Sequence, residues 1–304
     1  MYPYSKLRAA NVIATMCILE LAATTRPKVV SFVSSTAAIE KSHYVRLGDS
    51  IVSKGGLGVP ESDSLENAKT GLKGGYGQTK WVSERLMLEA GRRGLAGSIV
   101  RPAYIVGDSK SAVTNTDDFL MRLVKGCIQL GRVPDIHNPI NMVPVDHVAR
   151  ICSVSALQFS AEPLKVFHVT ARPAPRFNDF LSSLAHYGYP VERIEYLPWR
   201  TQLEQHVLKV QDNALFPLLH FVLDDLPTST KAALLDDTNT TALLRAAGEV
   251  ESMTVDDKQM GLYLAWLVAA GFLDAPTGGA PGSAPLPLLV LQNGAARAIG
   301  RSGH

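Results

Sequence analysis

The chain has 304 residues, with 30 Lys and Arg against 28 Asp and Glu, a net charge of +2. Its 46% hydrophobic and 19% charged residues read as one large or two ordinary globular domains and exclude a disordered chain. The small charge, with no dense Lys/Arg run, excludes a nucleic-acid footprint, and no apolar segment is long enough for a membrane span.

The first stretch, MYPYSKLRAANVIATMCILELAA, places apolar residues at helical spacing and reads as an amphipathic helix rather than a leader. PKVVSFVSS (27–35) is a short β-branched run of the buried parallel-strand kind. Residues 40–71 are polar, carry Gly55, Gly56, Gly58 and Pro60, and read as largely loop. GGYGQTKWVSERL opens a helix running to about Gly94, and AGSIVRPAYIVG supplies the next strand. NTDDFLMRLVKGCIQLG reads as a capped helix, and NMVPVDHVARICSVSAL as another with Asp146 as N-cap. KVFHVTA is a strand, RFNDFLSSLAHYGY a helix ending near Gly188, and VERIEYLP a short β segment. The remainder is mainly helical up to Leu273, with Gly271 as a helix stop. The tail from Ala275, rich in Gly, Pro and Ala, reads as poorly ordered. Alternating strands and helices followed by mostly helices predict an α/β sheet domain with a smaller helical part. The division predicted is 1–160 for the sheet domain, 161–274 for the helical part, some of whose strands return to the sheet, and 275–304 for the tail.

Residues four apart on a helix share a face, so Tyr76 and Lys80 project together. An ammonium beside a phenol stabilises the phenolate and makes the phenol a better proton donor. Taken alone, a Tyr-x-x-x-Lys pair is common on exposed helices. Here SFVSST precedes it, placing Ser34, Ser35 and Thr36 at the carboxyl end of a buried-type strand, where open parallel sheets bind ligands. A hydroxyl there can hold a carbonyl oxygen while Tyr76 protonates it. The other reading is a turn rich in small polar residues.

This constellation resembles the extended short-chain dehydrogenase/reductase superfamily. ANVIAT resembles its Asn-bearing helix, VSST its hydroxyl-bearing strand end, YGQTK its catalytic pair, RPAYIVG the strand that follows and NMVPVDHVA a later element. The resemblance implies Asn11 as supporting asparagine, Ser35 as the catalytic hydroxyl with Thr36 as the alternative, and Tyr76 with Lys80 as the catalytic pair. It also implies that Ser34, Tyr76, Lys80, Pro102 and Ala103 meet the nicotinamide cofactor. Longer stretches, from YPYSKLRAANV to GLYLAWLVAAGFL, resemble the thioester reductase domains of fungal aminoadipate reductases over nearly the whole chain. What this implies is reduction of an aminoadipyl thioester by NADPH to the semialdehyde, in lysine biosynthesis. The thioester would be presented by a phosphopantetheinylated carrier domain.

The family's dinucleotide fold opens with a strand, a glycine-rich turn and a helix. Here the first glycine is Gly48, and Gly55–Gly58 follow no strand. The expected fold is therefore a partial Rossmann-like parallel sheet lacking its first βα units, with a mostly helical C-terminal part. Roughly a hundred residues would be missing, leaving an exposed sheet edge beside VVSFV and weak NADPH binding by this polypeptide alone. Two other readings stay open: an extended reductase or epimerase acting on a free small molecule, and an inactive remnant serving as a binding module. His137, His168, His186, His206 and His220 show no paired metal spacing, and His147 reads as a helix-surface or packing residue rather than an acid. Asp117 and Asp118 read as first-turn helix charge rather than a dyad. Trp199, Tyr263 and Trp266 read as core anchors. Arg122, Lys125 and Arg132 read as a solvated helix face, with an acidic carrier domain or a phosphopantetheine phosphate as the alternative. Cys17, Cys127 and Cys152 read as reduced, buried thiols, which fits a cytoplasmic protein.

Overall fold

The computed structural model describes residues 2–26, 28–157, 164–210, 213–223, 226–278 and 281–289. The opening helix has three parts: α1 (Tyr4–Arg8), a π turn (Ala9–Ile13) and α2 (Ala14–Ala23). Then come β1 (Val30–Val33), a 3-10 turn (Thr36–Ile39), α3 (Ser42–Ser53), α4 (Gly75–Arg92), β2 (Gly97–Pro102) and β3 (Tyr104–Val106). α5 (Phe119–Leu130), β4 (Arg132–Pro134), β5 (Met142–Pro144), α6 (Val145–Leu157) and β6 (Lys165–Val169) follow. The chain continues through α7 (Phe177–His186), β7 (Glu192–Ile194), α8 (Tyr196–Lys209), α9 (Leu219–Val222), α10 (Leu226–Ser229), α11 (Thr238–Ala246) and α12 (Asp257–Ala269). Among the described residues no helix is long and apolar enough to cross a membrane.

Packing divides the chain into two units. The first joins Met1–Ile105, Asp146–Arg172 and Ala232–Met253. Its sheet is parallel, in the order β1-β2-β6, with Val33 opposite Val100 and Pro102 opposite Val169. β1 pairs with β2 on one side, and no strand among the described residues pairs with the other. The opening helix beside it leaves Met16, Ile18 and Leu21 exposed. Cys17 is exposed too, against the expectation of a buried thiol, because this helix buries only Val12, Thr15 and Ala22.

Residues 40–71 are less loop-like than their composition predicts. α3 forms from Ser42 because Tyr44, Leu47 and Ile51 recur at helical spacing, and Tyr44 is fully buried in a core with Ile39, Val59, Leu65 and Leu235. Its polar residues form the outer face. Gly55, Gly56 and Gly58 follow this helix and open none; Gly58, at φ +130°, lies where a Cβ would run into the carbonyl of Leu234. Asp146 is not the cap of α6, because the helix starts one residue earlier, at Val145; Asp146 sits in the first turn, where its charge suits the helix dipole.

A polar network ties the sheet of this unit to the returning segment 232–240. Arg101 of β2 is fully buried and donates to both carboxylate oxygens of Glu84 and to Nε2 of His168. The His168 ring then donates from Nδ1 to the carbonyl of Asp236, at 2.7 Å. Glu61 accepts from the backbone N–H of His168, Asn239 and Thr240 and from the Thr240 hydroxyl. It thereby satisfies amides at the N-terminus of α11.

The second unit joins Val106–Val145, Pro173–Lys231 and Thr254 onward. Its β4–β7 pair is parallel, and Trp199, Tyr263 and Trp266 are fully buried, as expected of core anchors. Asp118 caps α5 by accepting from Leu120 N–H, and Asp117 pairs with Arg122. Arg132 pairs with Glu192, and Lys125 lies over the Phe272 ring at 4.6 Å, so these three cations are engaged within the unit. Gly271 ends α12 at φ +73°. Of the tail, residues 275–278 and 281–289 are irregular, and the rest lies outside the described residues.

Burial, and then the Arg101 guanidinium, hold His168 down at about 3, well below its ordinary 6.5. The unfolded chain therefore binds a proton that the folded chain refuses. This contribution to stability is present above pH 6.5 and is lost as pH falls toward 3, by up to about 1.4 kcal/mol per pH unit. Nitrogen-resolved NMR of His168 at pH 5 is expected to show a neutral Nδ1–H imidazole. A ring titrating at its ordinary value would overturn this.

Candidate active site

The residues singled out by sequence all lie in the first unit. At the end of β1, Ser34 is still in the ladder, its N–H donating to Val100 O at 2.7 Å. Its hydroxyl is buried and has no hydrogen-bond partner among the described residues. Ser35 is extended, at φ −165° and ψ 152°, and its Oγ accepts from Ala37 N–H at 3.1 Å, capping the 3-10 turn that begins at Thr36. Of Ser35 and Thr36, it is the Ser35 hydroxyl that acts on the Tyr76 phenol, lowering its pKa.

α4 brings Tyr76 there because its first turn approaches the loop after β1 very closely. A Cβ on Gly77 would sit 2.5 Å from the carbonyl oxygen of Ala37, so only glycine allows the contact. Gln78 and Trp81 tie the preceding loop down, donating to Leu72 O and Leu65 O. Tyr76 remains 44% exposed, so a small molecule can reach it. Burial of the rest pushes its phenol up, and the neighbouring Ser35 hydroxyl works against this.

Lys80 lies one turn further along. Its ammonium donates to Val33 O at 2.8 Å and stands 5.1 Å from the Phe32 ring and 5.7 Å from the Tyr76 ring. Burial lowers its pKa and the negative Glu84 opposes the change. Lys80 thus reaches the tyrosine through the ring face and not through a direct bond to its oxygen.

Asn11 sits in the π turn of the opening helix, a local widening that such turns often provide at functional positions. Its amide donates to Thr79 Oγ1 at 2.8 Å, and Thr79 in turn donates to Tyr76 O at 2.9 Å. The Asn11 carbonyl receives the hydroxyls of Thr15, at 2.6 Å, and Ser83, at 3.2 Å. Asn11 therefore supports the backbone of the tyrosine turn. Beside this seam is a groove of about 230 Å³, lined by Asn11, Thr15, Ile18, Phe32, Val33 and Lys80. Pro102 and Ala103 close the end of β2, with Ala103 N–H donating to Val169 O.

Sequence reasoning missed Thr79, Ser83, Glu84 and Arg101. The i, i+4, i+8 recurrence of Tyr76, Lys80 and Glu84 was a readable signal for the third; the partners across the sheet were not. Among the described residues no group of three His, Cys, Asp or Glu could hold a metal. The nicotinamide end of a dinucleotide suits what is present: an unpartnered buried hydroxyl at Ser34, the phenol of Tyr76 and the small residue Ala103. No described glycine-rich turn joins a strand to a helix as a pyrophosphate cradle.

An NAD-binding family model described as "Male sterility protein" matches residues 1–152, and the chain belongs to that family. Its fold is that of the extended short-chain reductases: the terminal R domain of the myxalamid PKS-NRPS pathway superposes with a TM-score of 0.76 at 31% identity, over 90% of this chain and 66% of that one. The reductase domain of a nonribosomal peptide synthetase from Mycobacterium tuberculosis shares the fold, with a TM-score of 0.68 at 20% identity over 86% of this chain and 65% of that one. Among curated proteins, the chain is 51% identical to L-2-aminoadipate reductase of Schizosaccharomyces pombe over 91% of its length. It is 48% identical to the L-2-aminoadipate reductase large subunit of Penicillium chrysogenum over 94%. It spans about a fifth of the length of these relatives, 20% and 21%.

Gly77→Ala is expected to force α4 away from Ala37 and to cost roughly 1–3 kcal/mol, the usual range for overpacking. Urea unfolding measures the cost, and the variant's structure should show Tyr76 displaced from Ser35. A variant with unchanged stability and an undisplaced Tyr76 would contradict the close approach.

Proposed function

We propose that this chain supplies the proton-donating half of an NADPH-dependent reductase acting on a carrier-bound aminoadipyl thioester. The observation that carries the reading is the meeting of Ser35, Tyr76 and Lys80 at the end of β1, in a chain about half identical to fungal L-2-aminoadipate reductases. The partner is a carrier domain bearing the substrate on a phosphopantetheine thiol. A solved thiolation-reductase di-domain with this fold pairs the two modules in one chain. The free thiols of Cys17, Cys127 and Cys152 suit a cytoplasmic location.

When bound, the nicotinamide supplies a hydride to the thioester carbonyl carbon. As the C=O bond becomes a C–O bond, charge develops on the oxygen. Ser35 and Tyr76 hydrogen-bond that oxygen, and Tyr76 gives up its proton to it. Lys80, held by Val33 O, offsets the charge left on the phenolate. The tetrahedral hemithioacetal then breaks its C–S bond, releasing the carrier thiol and 2-aminoadipate semialdehyde. Ser34, Pro102 and Ala103 hold the nicotinamide end of the cofactor. Asn11 keeps the tyrosine turn in place through Thr79.

Tyr76→Phe removes the donated proton and little else. In a complete reductase containing this segment it should slow thioester-dependent NADPH oxidation by about 100-fold or more, while binding of the loaded carrier stays the same. Wild-type turnover by Tyr76→Phe would sink the reading. Turnover of a free ketone with none of the thioester would replace it by reduction of a free small molecule.

A further inference from the structure

α4 continues its catalytic face one turn beyond Lys80, to Glu84. The Glu84 side chain is 1% exposed and that of its partner Arg101 is fully buried. The contact is made by three hydrogen bonds: Arg101 Nε lies 3.0 Å from each carboxylate oxygen, and Nη2 lies 2.6 Å from Oε2. The remaining arm, Nη1, lies 3.0 Å from Nε2 of His168. A buried ion pair is weak evidence for stability, since apolar residues of the same volume often serve as well or better. A planar guanidinium does offer direction, accepting a carboxylate in one orientation only. Arg101 belongs to the strand that ends in Pro102 and Ala103, so this fork fixes α4 in rotation and height against the end of β2.

We propose that Glu84 is a positioning residue for the site: it registers the Tyr76–Lys80 face of α4 on β2 through Arg101 and provides an anionic group one helical turn from Lys80 on the same face. This rests on the reductase reading above. The groups facing Lys80 are few. Tyr76 and Glu84 come from its own helix, Val33 O and the Phe32 ring from β1, and neutral Asn11 and Thr15 from the opening helix. Arg101 and His168 complete the set through Glu84. Glu84 is accordingly the one anion that favours the charged form of Lys80 against burial.

The test uses this chain, with lysines reductively methylated with carbon-13 and Lys80 assigned by Lys80→Arg. In Glu84→Gln the Lys80 titration midpoint should fall by about half a pH unit or more, with faster amide exchange along α4. Glu84→Asp, which keeps the charge, should recover most of the midpoint. Glu84→Gln leaves Arg101 buried and unpaired, so the double variant Glu84→Gln/Arg101→Met, which buries no charge at this point, should show a fall in the same direction, smaller because the Arg101 cation leaves with the anion. An unchanged midpoint in either folded variant overturns the proposal. So does a wild-type Lys80 already neutral at about pH 8, a measurement that needs no substitution. None of these results depends on turnover, so a failure of Tyr76→Phe to reduce activity would leave this readout standing and separate the two readings.

Discussion

A guanidinium with no access to water must find its acceptors inside the protein, and Arg101 is in that position at the centre of the sheet. Glu84 from the helix above takes two of its arms and His168 from the neighbouring strand takes the third. Because Nε2 of His168 is used as an acceptor, Nδ1 carries the proton and reaches the carbonyl of Asp236. One buried charge therefore dictates a helix position, a tautomer and the anchorage of a segment far along the chain. The separation is large: residue 84 belongs to the catalytic helix and residue 236 to the stretch leading into α11. Only a folded first unit brings them together.

The placement of Tyr76 and Lys80 depends on this anchorage in two directions. Along the helix axis, Gly77 permits α4 to touch the carbonyl of Ala37, which sets how closely Tyr76 approaches Ser35. Across the axis, Asn11 and Thr79 on one side and Glu84 with Arg101 on the other limit rotation. A proton donor must be placed to within a fraction of an ångström to be useful. Contacts on several faces of one helix are the means by which short side chains achieve that.

Much of this was legible in the sequence, for identifiable reasons. The strand at 97–102 is buried from Ser98 onward, and the one at 30–33 was visible from its β-branched residues although none of them is fully buried. Tyr76 and Lys80 were visible because helical spacing is local. α3 was missed because its buried face rests on only a few residues, chiefly Tyr44, among many polar ones, and the glycines after it suggested loop. The Cys17 reading failed for the converse reason: an apolar pattern shows that a residue could be buried and not that a partner element covers it. Arg101 was read only as part of an Arg-Pro strand end. Its partners lie 17 and 67 residues away, and no local rule connects them.

The surroundings of Tyr76 also bear on the proton-donating role proposed for it. Burial favours the neutral phenol, so the residue waits protonated, as a donor must. The difficulty arises only when the proton leaves and a phenolate remains in a partly dry site. Ser35 can then donate to the oxygen, and Lys80 faces the ring at 5.7 Å with its ammonium fixed by Val33 O. All three groups belong to one strand, one turn and one helix, so their alignment is set by short-range packing within the first unit. A pyrophosphate instead needs several backbone N–H groups converging from a tight glycine turn at a helix start. Gly58 and Gly77 instead serve close packing, against Leu234 and Ala37. The contacts that place Tyr76, Ser35 and Lys80 are thus made within the first unit, without a glycine turn of that kind among the described residues.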